Sequence, residues 1–255
     1  MKIATWNVNS LKVRLAQVLD WVEKEQPDVL ALQETKTPDE NFPLAEIEAA
    51  GYQASYSGQK TYNGVAVLSK APATEPVTDI LSLDDPQRRI LAVNVTGVRV
   101  INLYVVNGQE VGSEKFEYKL HWLEQVRAYL LSELAEYRYL VVLGDFNIAP
   151  EDRDVHDPES WRERILCSTP EREALTRILE SGLVDVFRRF EQPEKCFSWW
   201  DYRSAAFRRN RGLRIDLILA NRALAERCTG SRIDTGPREH ERPSDHTPVC
   251  AEFSL

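Results

Sequence analysis

The sequence predicts an α/β protein in which β-sheets lie in the middle and helices lie on the outside. Eight segments are rich in β-branched residues and bounded by Gly, Pro, Asn or Asp, which is typical of strands. Stretches with the apolar periodicity of helices separate several of these segments. Other segments follow each other directly, as over residues 90–106, where a hairpin turns near Thr96 and Gly97. This mixture of connections favours sheets covered by helices.

The predicted strands cover residues 2–8, 28–34, 64–69, 90–94, 98–106, 139–144, 215–220 and 248–253. The first predicted helix has an apolar face of Leu11, Leu15, Val18, Leu19 and Val22, and Pro27 stops it. The second follows Ser113 as its N-cap and buries a stripe of Phe116, Leu120, Leu123, Val126, Leu130 and Leu134. The third opens at Thr169-Pro170, turns Leu175, Ile178 and Leu179 inward, and ends at Gly182.

Composition and charge narrow the class of protein. The 255 residues are 43% apolar and 28% charged, which is typical of a soluble globular protein. No linker rich in glycine, proline and serine divides the chain, so we expect one domain over residues 1–255. No apolar run reaches the roughly 20 residues that span a bilayer, and the N-terminus resembles no signal peptide. The four cysteines fit no metal-ligand motif and predict reduced thiols in a cytoplasmic protein. Nothing demands more than a monomer.

The net charge of −8 counts against non-specific coating of nucleic acid, although a local basic surface remains compatible with it. Five arginines lie within residues 203–214, namely Arg203, Arg208, Arg209, Arg211 and Arg214, and Trp199 and Trp200 precede them. Arginines neutralise phosphates, and aromatic faces stack on bases or line a pocket for a base-free sugar. The alternative is a solvated loop beside core aromatics.

Five short polar segments predict a functional pocket. Each lies where a predicted strand meets a loop: Asn7 with Asn9, residues 33–36, residues 144–147, residues 214–216 and residues 244–246. Strand ends that are distant in sequence can converge in space. Together these residues would form an acidic, amide-rich pocket with one histidine, which suits a hard cation and a phosphate ester. The pattern indicates a metal-dependent phosphodiesterase.

Glu34 ends a strand that reads as buried, and a neighbouring parallel strand would place the Asn7 amide beside it. Taken alone, a strand-end acid is often only solvated. Oxygen donors without a cluster of cysteine and histidine point to Mg²⁺ or Mn²⁺ rather than zinc.

Asp145 and Asn147 follow an uninterrupted apolar run, and the alternation puts both side chains on one side with Phe146 on the other. The carboxylate could hold or deprotonate a water, and the amide could donate to a phosphate oxygen. An Asx turn after an edge strand is the alternative.

His246 lies next to Asp245, and a second acid, Asp216, begins another strand. An imidazole held by a carboxylate stays cationic and can donate to the scissile phosphate. A Ser244–His246–Asp245 triad fails on geometry, because three consecutive residues cannot easily form that chain of hydrogen bonds. Tyr104 and Asn107 follow a further strand and could bind phosphate oxygens, although a strand tyrosine is more often core.

These motifs, in this order and over nearly the whole chain, resemble the exonuclease III family of the exonuclease/endonuclease/phosphatase superfamily. The resemblance runs from Thr5-Trp6-Asn7-Val8-Asn9 to Pro243-Ser244-Asp245-His246. Two strings are highly specific, Leu32-Gln33-Glu34-Thr35-Lys36 and Arg211-Gly212-Leu213-Arg214-Ile215-Asp216, whereas Gly144-Asp145-Phe146-Asn147 is shared with the wider superfamily. The resemblance implies a deoxyribonuclease I-like four-layer sandwich, with two mixed sheets packed together and helices outside.

The resemblance also implies roles for individual residues. Glu34 would be the main metal ligand, with Asn7, Asp245, Asp145 and Asn147 also in the metal site. Asp145 would activate the attacking water, Asn147 would stabilise the transition state, and His246, oriented by Asp216, would bind the phosphate. The remaining positions are substrate contacts: Tyr104, Asn107 and Lys36 around the phosphate, Trp199 and Leu213 in an abasic-sugar pocket, and Arg203 in the minor groove.

The implied activity is Mg²⁺- or Mn²⁺-dependent repair of double-stranded DNA, with 3′-to-5′ exonuclease, abasic-site endonuclease and 3′-phosphatase action that leaves 3′-hydroxyl ends. Two alternatives stay open. One is processing of 3′ ends only, through a bulky residue near the pocket, sought in residues 156–165 with Trp161 and Arg162. The other is a non-catalytic nucleic-acid-binding regulator. A lipid phosphodiesterase is disfavoured, since no apolar membrane-facing loop is found. Val106 stands where members of the resembled family often have a proline before the position of Asn107, and its absence predicts a less rigid loop.

Overall fold

The structure, a computed structural model, describes residues 1–80, 83 and 85–255. Its strands are β1 Lys2–Asn7, β2 Val29–Gln33, β3 Gln53–Ser57, β4 Val65–Ser69, β5 Ala73–Val77, β6 Ile90–Val95, β7 Val98–Tyr104, β8 Leu140–Asp145, β9 Leu183–Asp185, β10 Asp216–Asn221, β11 Cys228–Ile233 and β12 Val249–Phe253. Its α-helices are α1 Leu11–Glu25, α2 Leu44–Ala49, α3 Glu114–Glu136, α4 Pro158–Trp161, α5 Thr169–Glu180 and α6 Arg222–Ala225. The described residues contain no helix that is long and apolar enough to span a membrane.

The strands form two six-stranded mixed sheets with the same topology. The strand order is β11-β12-β1-β2-β4-β3 in the first sheet and β5-β6-β7-β8-β10-β9 in the second. Each sheet has one parallel pair at its centre, β1 with β2 and β7 with β8, and a long helix connects the two strands of each pair. The neighbouring strands are antiparallel. The predicted hairpin is confirmed, since β6 and β7 pair up to Val95 and Val98 around Thr96 and Gly97.

Strand alternation separates the core into three layers of apolar side chains. Val29 and Ala31 of β2 turn inward, against residues of the second sheet such as Val141. Leu30 and Leu32 turn outward and pack against α1 and α2. On the other side, α3 and α5 cover the second sheet. Because burial of both faces of a central strand requires a continuous apolar run, the central strands could be predicted from the sequence. The predicted four-layer sandwich is confirmed.

All eight predicted strands are present, with ends that shift by one or two residues. The four strands that the sequence reading missed are β3, β5, β9 and β11, which are the four sheet edges. The side chains of these strands are partly exposed, and for that reason the strands lack an apolar run. Strand β5 also contains Pro76 and a register shift. Edge strands need bury only part of one face, and proline is tolerated there.

The predicted helix signals also hold. Gln26, in a left-handed conformation, follows α1 and precedes Pro27. The Ser113 hydroxyl accepts a hydrogen bond from the Phe116 N–H at 3.2 Å and caps α3. On α3 the largest fully buried side chain is Trp122, whereas the predicted core residues Leu120 and Leu134 are only partly buried. The three short helices were not predicted. All four cysteines are free thiols.

Candidate active site

The candidate active site lies where the two parallel strand pairs end. In the first sheet β1 ends at Asn7 and β2 is followed by Glu34; in the second, β7 ends at Tyr104 and β8 ends at Asp145. Parallel strands deliver their carboxyl ends to one edge, and the packed sheets bring the two edges together. Asp216 begins β10 directly opposite Asp145, so antiparallel strands contribute their first residues to the same edge. The predicted convergence of strand ends is therefore observed.

Asn7 is the amide that links the two sheets within this site. Its Nδ2 donates to Glu34 Oε1 at 2.9 Å and to Asp145 Oδ2 at 2.9 Å, although Asn7 and Asp145 are 138 residues apart. Its Oδ1 accepts a hydrogen bond from the Asn9 N–H at 3.0 Å, which orients the amide. The parallel pairing of β1 and β2 that was expected to place Asn7 beside Glu34 is confirmed. One fixed amide thus orients two carboxylates.

The donor set fits a hard divalent cation. Glu34, Asp145 and His246 each offer a ligand atom, and these atoms lie within 4.8 Å of one another. The two carboxylates, without a thiolate beside them, suit an oxygen-seeking metal, whereas an imidazole that stays cationic has no free lone pair for one. Asp245, predicted near the metal, lies apart from this trio: its two oxygens accept hydrogen bonds from Asn9 Nδ2 at 2.9 Å and Trp199 Nε1 at 3.0 Å.

The sequence left two alternatives open for Asp145, a carboxylate in the pocket or an Asx turn, and the structure of this loop contains both. Asp145 Oδ1 accepts a hydrogen bond from the Asn147 N–H at 2.9 Å, which is an Asx turn, while Oδ2 faces Asn7 in the pocket. Gly144 has a φ of 143°, and a Cβ there would lie 1.9 Å from the Leu103 carbonyl oxygen, so β8 can approach β7 only with glycine. Phe146 packs in the core on the opposite side, as predicted.

His246 is held between two carboxylates. Its Nδ1 lies 2.9 Å from Asp216 Oδ2, and its Nε2 lies 3.7 Å from Asp145 Oδ2. Burial opposes the imidazolium, but the Asp216 and Asp145 carboxylates outweigh it and raise the pKa of His246 to about 10. The predicted cationic imidazole therefore has a structural cause. Ser244 bonds the Asn7 carbonyl instead of the imidazole, which is consistent with rejecting a triad.

The pKa values of the Glu34 and Asp145 carboxyl groups shift in opposite directions. Burial would raise the pKa of Glu34, but the Lys36 ammonium and the Asn7 amide outweigh it and lower that pKa. Burial raises the pKa of Asp145, and the His246 imidazolium opposes that rise. Burial and the nearby Glu34 and Asp145 carboxylates raise the pKa of Tyr104 well above its usual value, so the phenol stays protonated and can donate.

The predicted phosphate contacts surround this centre. Lys36 Nζ lies 2.8 Å from Glu34 Oε2 and 2.6 Å from Asn9 Oδ1. Asn107 Nδ2 donates to Asn147 Oδ1 at 3.1 Å. Asn147 Nδ2 donates to the Val105 carbonyl at 3.0 Å and to Asp145 Oδ2 at 3.3 Å, so it must exchange a partner to reach a phosphate.

The arginine-rich segment divides into exposed and buried members. Arg208, Arg209 and Arg211 are exposed, and the Arg203 side chain is 87% exposed with an ion pair to Asp201 at 2.7 Å. Arg214 differs from the expectation of nucleic-acid contact. It is 1% exposed, and its guanidinium pairs with Asp154 and Asp185 at 2.6 and 2.8 Å. Trp200 likewise belongs to the core, packed against Phe197, Ala206 and Phe207. Charge pattern alone could not separate these cases.

Trp199 and Leu213, the predicted abasic-sugar pocket, lie side by side. Their backbones exchange hydrogen bonds at 3.0 Å in both directions. Leu213 has no accessible surface, and the Trp161 ring meets Trp199 edge-on with centroids 6.5 Å apart. His156 lies beside Trp161 and its Nδ1 is 3.2 Å from the Gly212 carbonyl oxygen. The segment suspected of narrowing the pocket therefore packs against it.

Four further residues support the site without having been assigned roles from the sequence. Asn9 joins Lys36 to Asp245 through its amide. Ser198 Oγ donates to Asp216 Oδ2 at 2.6 Å, and Arg89 lies over the Tyr104 ring at 4.6 Å. Lys119, fully buried on α3, reaches the Asn147 carbonyl. Asn9 belongs to a polar segment that the sequence placed in the pocket, and a lysine inside the apolar stripe of α3 was a second available signal, whereas Ser198 and Arg89 have none in the sequence.

Several residues at this edge have a positive φ, and the strained conformation of Ser10 has no hydrogen bond to a helix end that would require serine there. Asn9, Glu34 and Lys36 have φ values of 43°, 51° and 52°, while Ser10 has φ 90° and ψ 104° and its side chain caps nothing. We expect Ser10→Gly to raise the free energy of unfolding by about 1 kcal/mol, because glycine relieves strain that exceeds its entropic cost. Denaturant titration measures this. Ser132→Gly, inside α3, should destabilise instead, and a loss of stability at Ser10 would contradict the prediction.

The two-sheet sandwich and its pocket of carboxylates, amides and one imidazole together define a hydrolytic nuclease of the deoxyribonuclease I-like class. Exodeoxyribonuclease III of Haemophilus influenzae is 39% identical over 266 residues, covering 99% of this chain and 100% of the relative. A solved structure of the 3′ phosphatase NExo from Neisseria, bound to a product DNA hairpin, is 46% identical with a TM-score of 0.98. An AP endonuclease from Archaeoglobus fulgidus is 39% identical with a TM-score of 0.95. Both structures cover 100% of this chain and are fully covered by it.

The chain matches the Endonuclease/Exonuclease/phosphatase family over residues 4–246, and it belongs to that family. The predicted fold type, the predicted family and the prediction of an enzyme are thereby confirmed. The roles assigned to individual residues stay predictions.

Proposed function

We propose that this protein is a Mg²⁺- or Mn²⁺-dependent DNA repair phosphodiesterase that acts on double-stranded DNA at 3′ ends and abasic sites and leaves 3′-hydroxyl groups. The observation that carries the proposal is the convergence of Glu34, Asp145 and His246, with Asn7 bonded to both carboxylates. The relatives support the substrate, since they include an exodeoxyribonuclease, a 3′ phosphatase bound to DNA and an AP endonuclease. The single domain, the monomeric state and the cytoplasmic location stay predictions.

The chain's own residues supply most of the chemistry. Glu34 and Asp145 would hold a divalent cation, whose charge would offset that of the phosphate. His246, kept cationic by Asp216, donates from Nε2 to a phosphate oxygen. Asp145 Oδ2 orients the attacking water and accepts its proton, which is general base catalysis.

The phosphate is held by donors from three separate loops. Lys36, Asn107 and the protonated Tyr104 surround it, and Asn147 stabilises the transition state after exchanging one hydrogen-bond partner. Arg203 and the exposed arginines beside it contact the DNA backbone and groove.

One labelled duplex with a central abasic analogue tests the proposal, incubated with Mg²⁺ and then with EDTA. A cut 5′ to the lesion and shortening of the 3′ end, both abolished by EDTA, are the expected results. Replacing Mg²⁺ by Mn²⁺ should preserve both products. No cleavage of any kind would favour the alternative of a non-catalytic nucleic-acid-binding protein.

A second candidate, processing of 3′ ends without abasic-site cleavage, is favoured by one observation. Leu213 has no exposed surface, and Trp161 packs on Trp199, so an extruded sugar would need these rings to move. In the duplex assay this candidate predicts shortening of the 3′ end with no internal cut.

Trp161→Ala discriminates between the two candidates. If Trp161 restricts the pocket, its removal should raise the ratio of abasic cleavage to 3′-end removal by about tenfold. Arg162→Ala removes the other side chain suspected in this segment, and it should leave the ratio unchanged, because Arg162 is exposed and pairs with Glu159. Both activities are measured on the same duplex. An unchanged ratio in Trp161→Ala would show that this ring does not limit access.

A further inference from the structure

A buried lysine connects the backbones of the two loops that carry the site's amides. Lys119 lies on α3 and has no accessible surface. Its Nζ donates to the Asn147 carbonyl oxygen at 2.7 Å, to the Asn107 carbonyl oxygen at 3.1 Å and to Glu171 Oε1. The ammonium thereby uses all three of its donors. Two of them hold main-chain atoms of residues whose side chains face the candidate site.

Glu171 anchors this lysine from the other side. Its Oε1 also accepts a hydrogen bond from the Leu166 N–H at 3.1 Å, and its Oε2 accepts bonds from the Ser168 N–H at 3.1 Å and from the Ser168 hydroxyl at 2.6 Å. The last two bonds belong to the capping box at the start of α5. The ion pair is therefore fully hydrogen-bonded and is fixed to two long helices.

Stability alone does not account for an ion pair at this position. Removing two charges from water offsets most of their attraction, so an apolar pair of similar volume can serve a core equally well. What an apolar pair cannot do is hold two carbonyl groups at a fixed separation. The same two loops are joined on the pocket side by the bond from Asn107 Nδ2 to Asn147 Oδ1, so they are held on both sides.

The loop of Asn107 is also shaped around Lys119. Gly108 has a φ of 89°, and a Cβ there would lie 3.0 Å from Lys119 Cδ. Val105 and Val106 are buried, so the loop that lacks a proline at position 106 is packed against the protein. The Lys119 ammonium holds the Asn107 carbonyl of this loop, and the Ser113 hydroxyl holds the next carbonyl, that of Gly108, at 3.1 Å.

We propose that Lys119, held by Glu171, is a positioning residue for the hydrolytic reaction. It fixes residues 105–109 and 146–149 relative to each other, which keeps Asn107 and Asn147 aligned. Through the bond from the Asn147 N–H it also orients Asp145. This inference rests on the proposed function, because the groups that it positions are those assigned to the phosphate and the water.

Lys119→Met tests the inference with a side chain of similar length that cannot donate. We expect kcat on a 3′-end duplex to fall about 30-fold with KM unchanged, because a displacement of about 1 Å can cost 100-fold while the distant DNA contacts remain. Hydrogen exchange should accelerate in residues 105–109 and 146–149. Because Lys119→Met leaves Glu171 buried and unpaired, the double variant Lys119→Met/Glu171→Gln is measured as well. It should recover stability but not kcat.

The ion pair between Arg99 and Glu133 provides a matched control. It is also buried, with Nε and Oε2 2.5 Å apart, and Glu133 lies at the other end of the same helix. Arg99→Met should lower stability and leave kcat per folded molecule unchanged. The inference is overturned if both lysine variants retain wild-type kcat, if Arg99→Met lowers kcat equally, or if exchange in the two loops is unaltered. If the wild-type protein does not cleave DNA, the proposed function fails, and the exchange measurement still decides whether Lys119 fixes the loops.

Discussion

Asp145→Asn should lower kcat by about 1000-fold while duplex DNA still binds, because the variant loses the general base but keeps the volume and the surrounding DNA contacts. The structure gives a second reason for a large effect. Asp145 accepts hydrogen bonds through both oxygens, from the Asn147 N–H and from Asn7 Nδ2. An asparagine side chain has an NH2 group in place of one of these oxygens, so it must point a donor at either the Asn147 N–H or Asn7 Nδ2. The site therefore loses both a base and part of its alignment.

A single-turnover experiment measures the rate of cleavage, and an equilibrium assay without metal measures the binding of DNA separately. Asp28→Asn is the matched control, because Asp28 accepts a hydrogen bond from the Lys2 N–H at 2.7 Å at the opposite end of β1 and β2. It should leave kcat unchanged. If Asp145→Asn abolishes DNA binding as well, the role of Asp145 is structural rather than catalytic.

Glu34→Ala should raise the Mg²⁺ concentration for half-maximal activity by at least about tenfold, since loss of even a supporting ligand contact typically costs 10- to 100-fold in metal affinity. We expect the variant to fold, because Glu34 lies beyond the end of β2 and not within the apolar core. Lys36 keeps a partner in the variant, namely Asn9 Oδ1 at 2.6 Å. Asn7 keeps its bond to Asp145.

A Mg²⁺ titration of nuclease activity, together with a thermal melt, checks this prediction. Glu252→Ala, an exposed position on β12 of the same sheet, is the control for removal of a surface carboxylate. An unchanged Mg²⁺ titration in Glu34→Ala would contradict the assignment of Glu34 as a metal ligand. A lowered melting temperature with unchanged titration would instead indicate that Glu34 stabilises the strand end through Asn7 and Lys36.

The central strands could be predicted because their signal is local. A strand covered on both faces must be apolar throughout, as residues 140–143 are, and a polar residue at its tip then stands out. This made Asp145, Glu34 and Asn7 recognisable before their contacts were known. Edge strands bury little and carry no such signal, and for that reason β3, β5, β9 and β11 were missed.

The arginine-rich segment shows where residue type is insufficient. Five arginines in residues 203–214 suggest a uniform nucleic-acid surface, yet Arg214 is buried between Asp154 and Asp185. Its two partners lie in other segments, and no local pattern marks them. The same is true of Lys119, whose charge is compensated by Glu171 from another helix. A buried charge depends on its partners, and partners distant in sequence are set by packing.

By itself, the sequence determined the fold class, the central strands and the chemical types of the pocket residues, because these depend on apolar runs and on the residue at each strand end. Only the tertiary structure decided the rest: which carboxylates share the Asn7 amide, which arginines stay exposed and which ring packs on Trp199. These properties arise from contacts between segments that are distant in sequence, such as the contact across the two sheets that joins Asn7 to Asp145 over 138 residues. Contacts of that kind form only when the two sheets pack together.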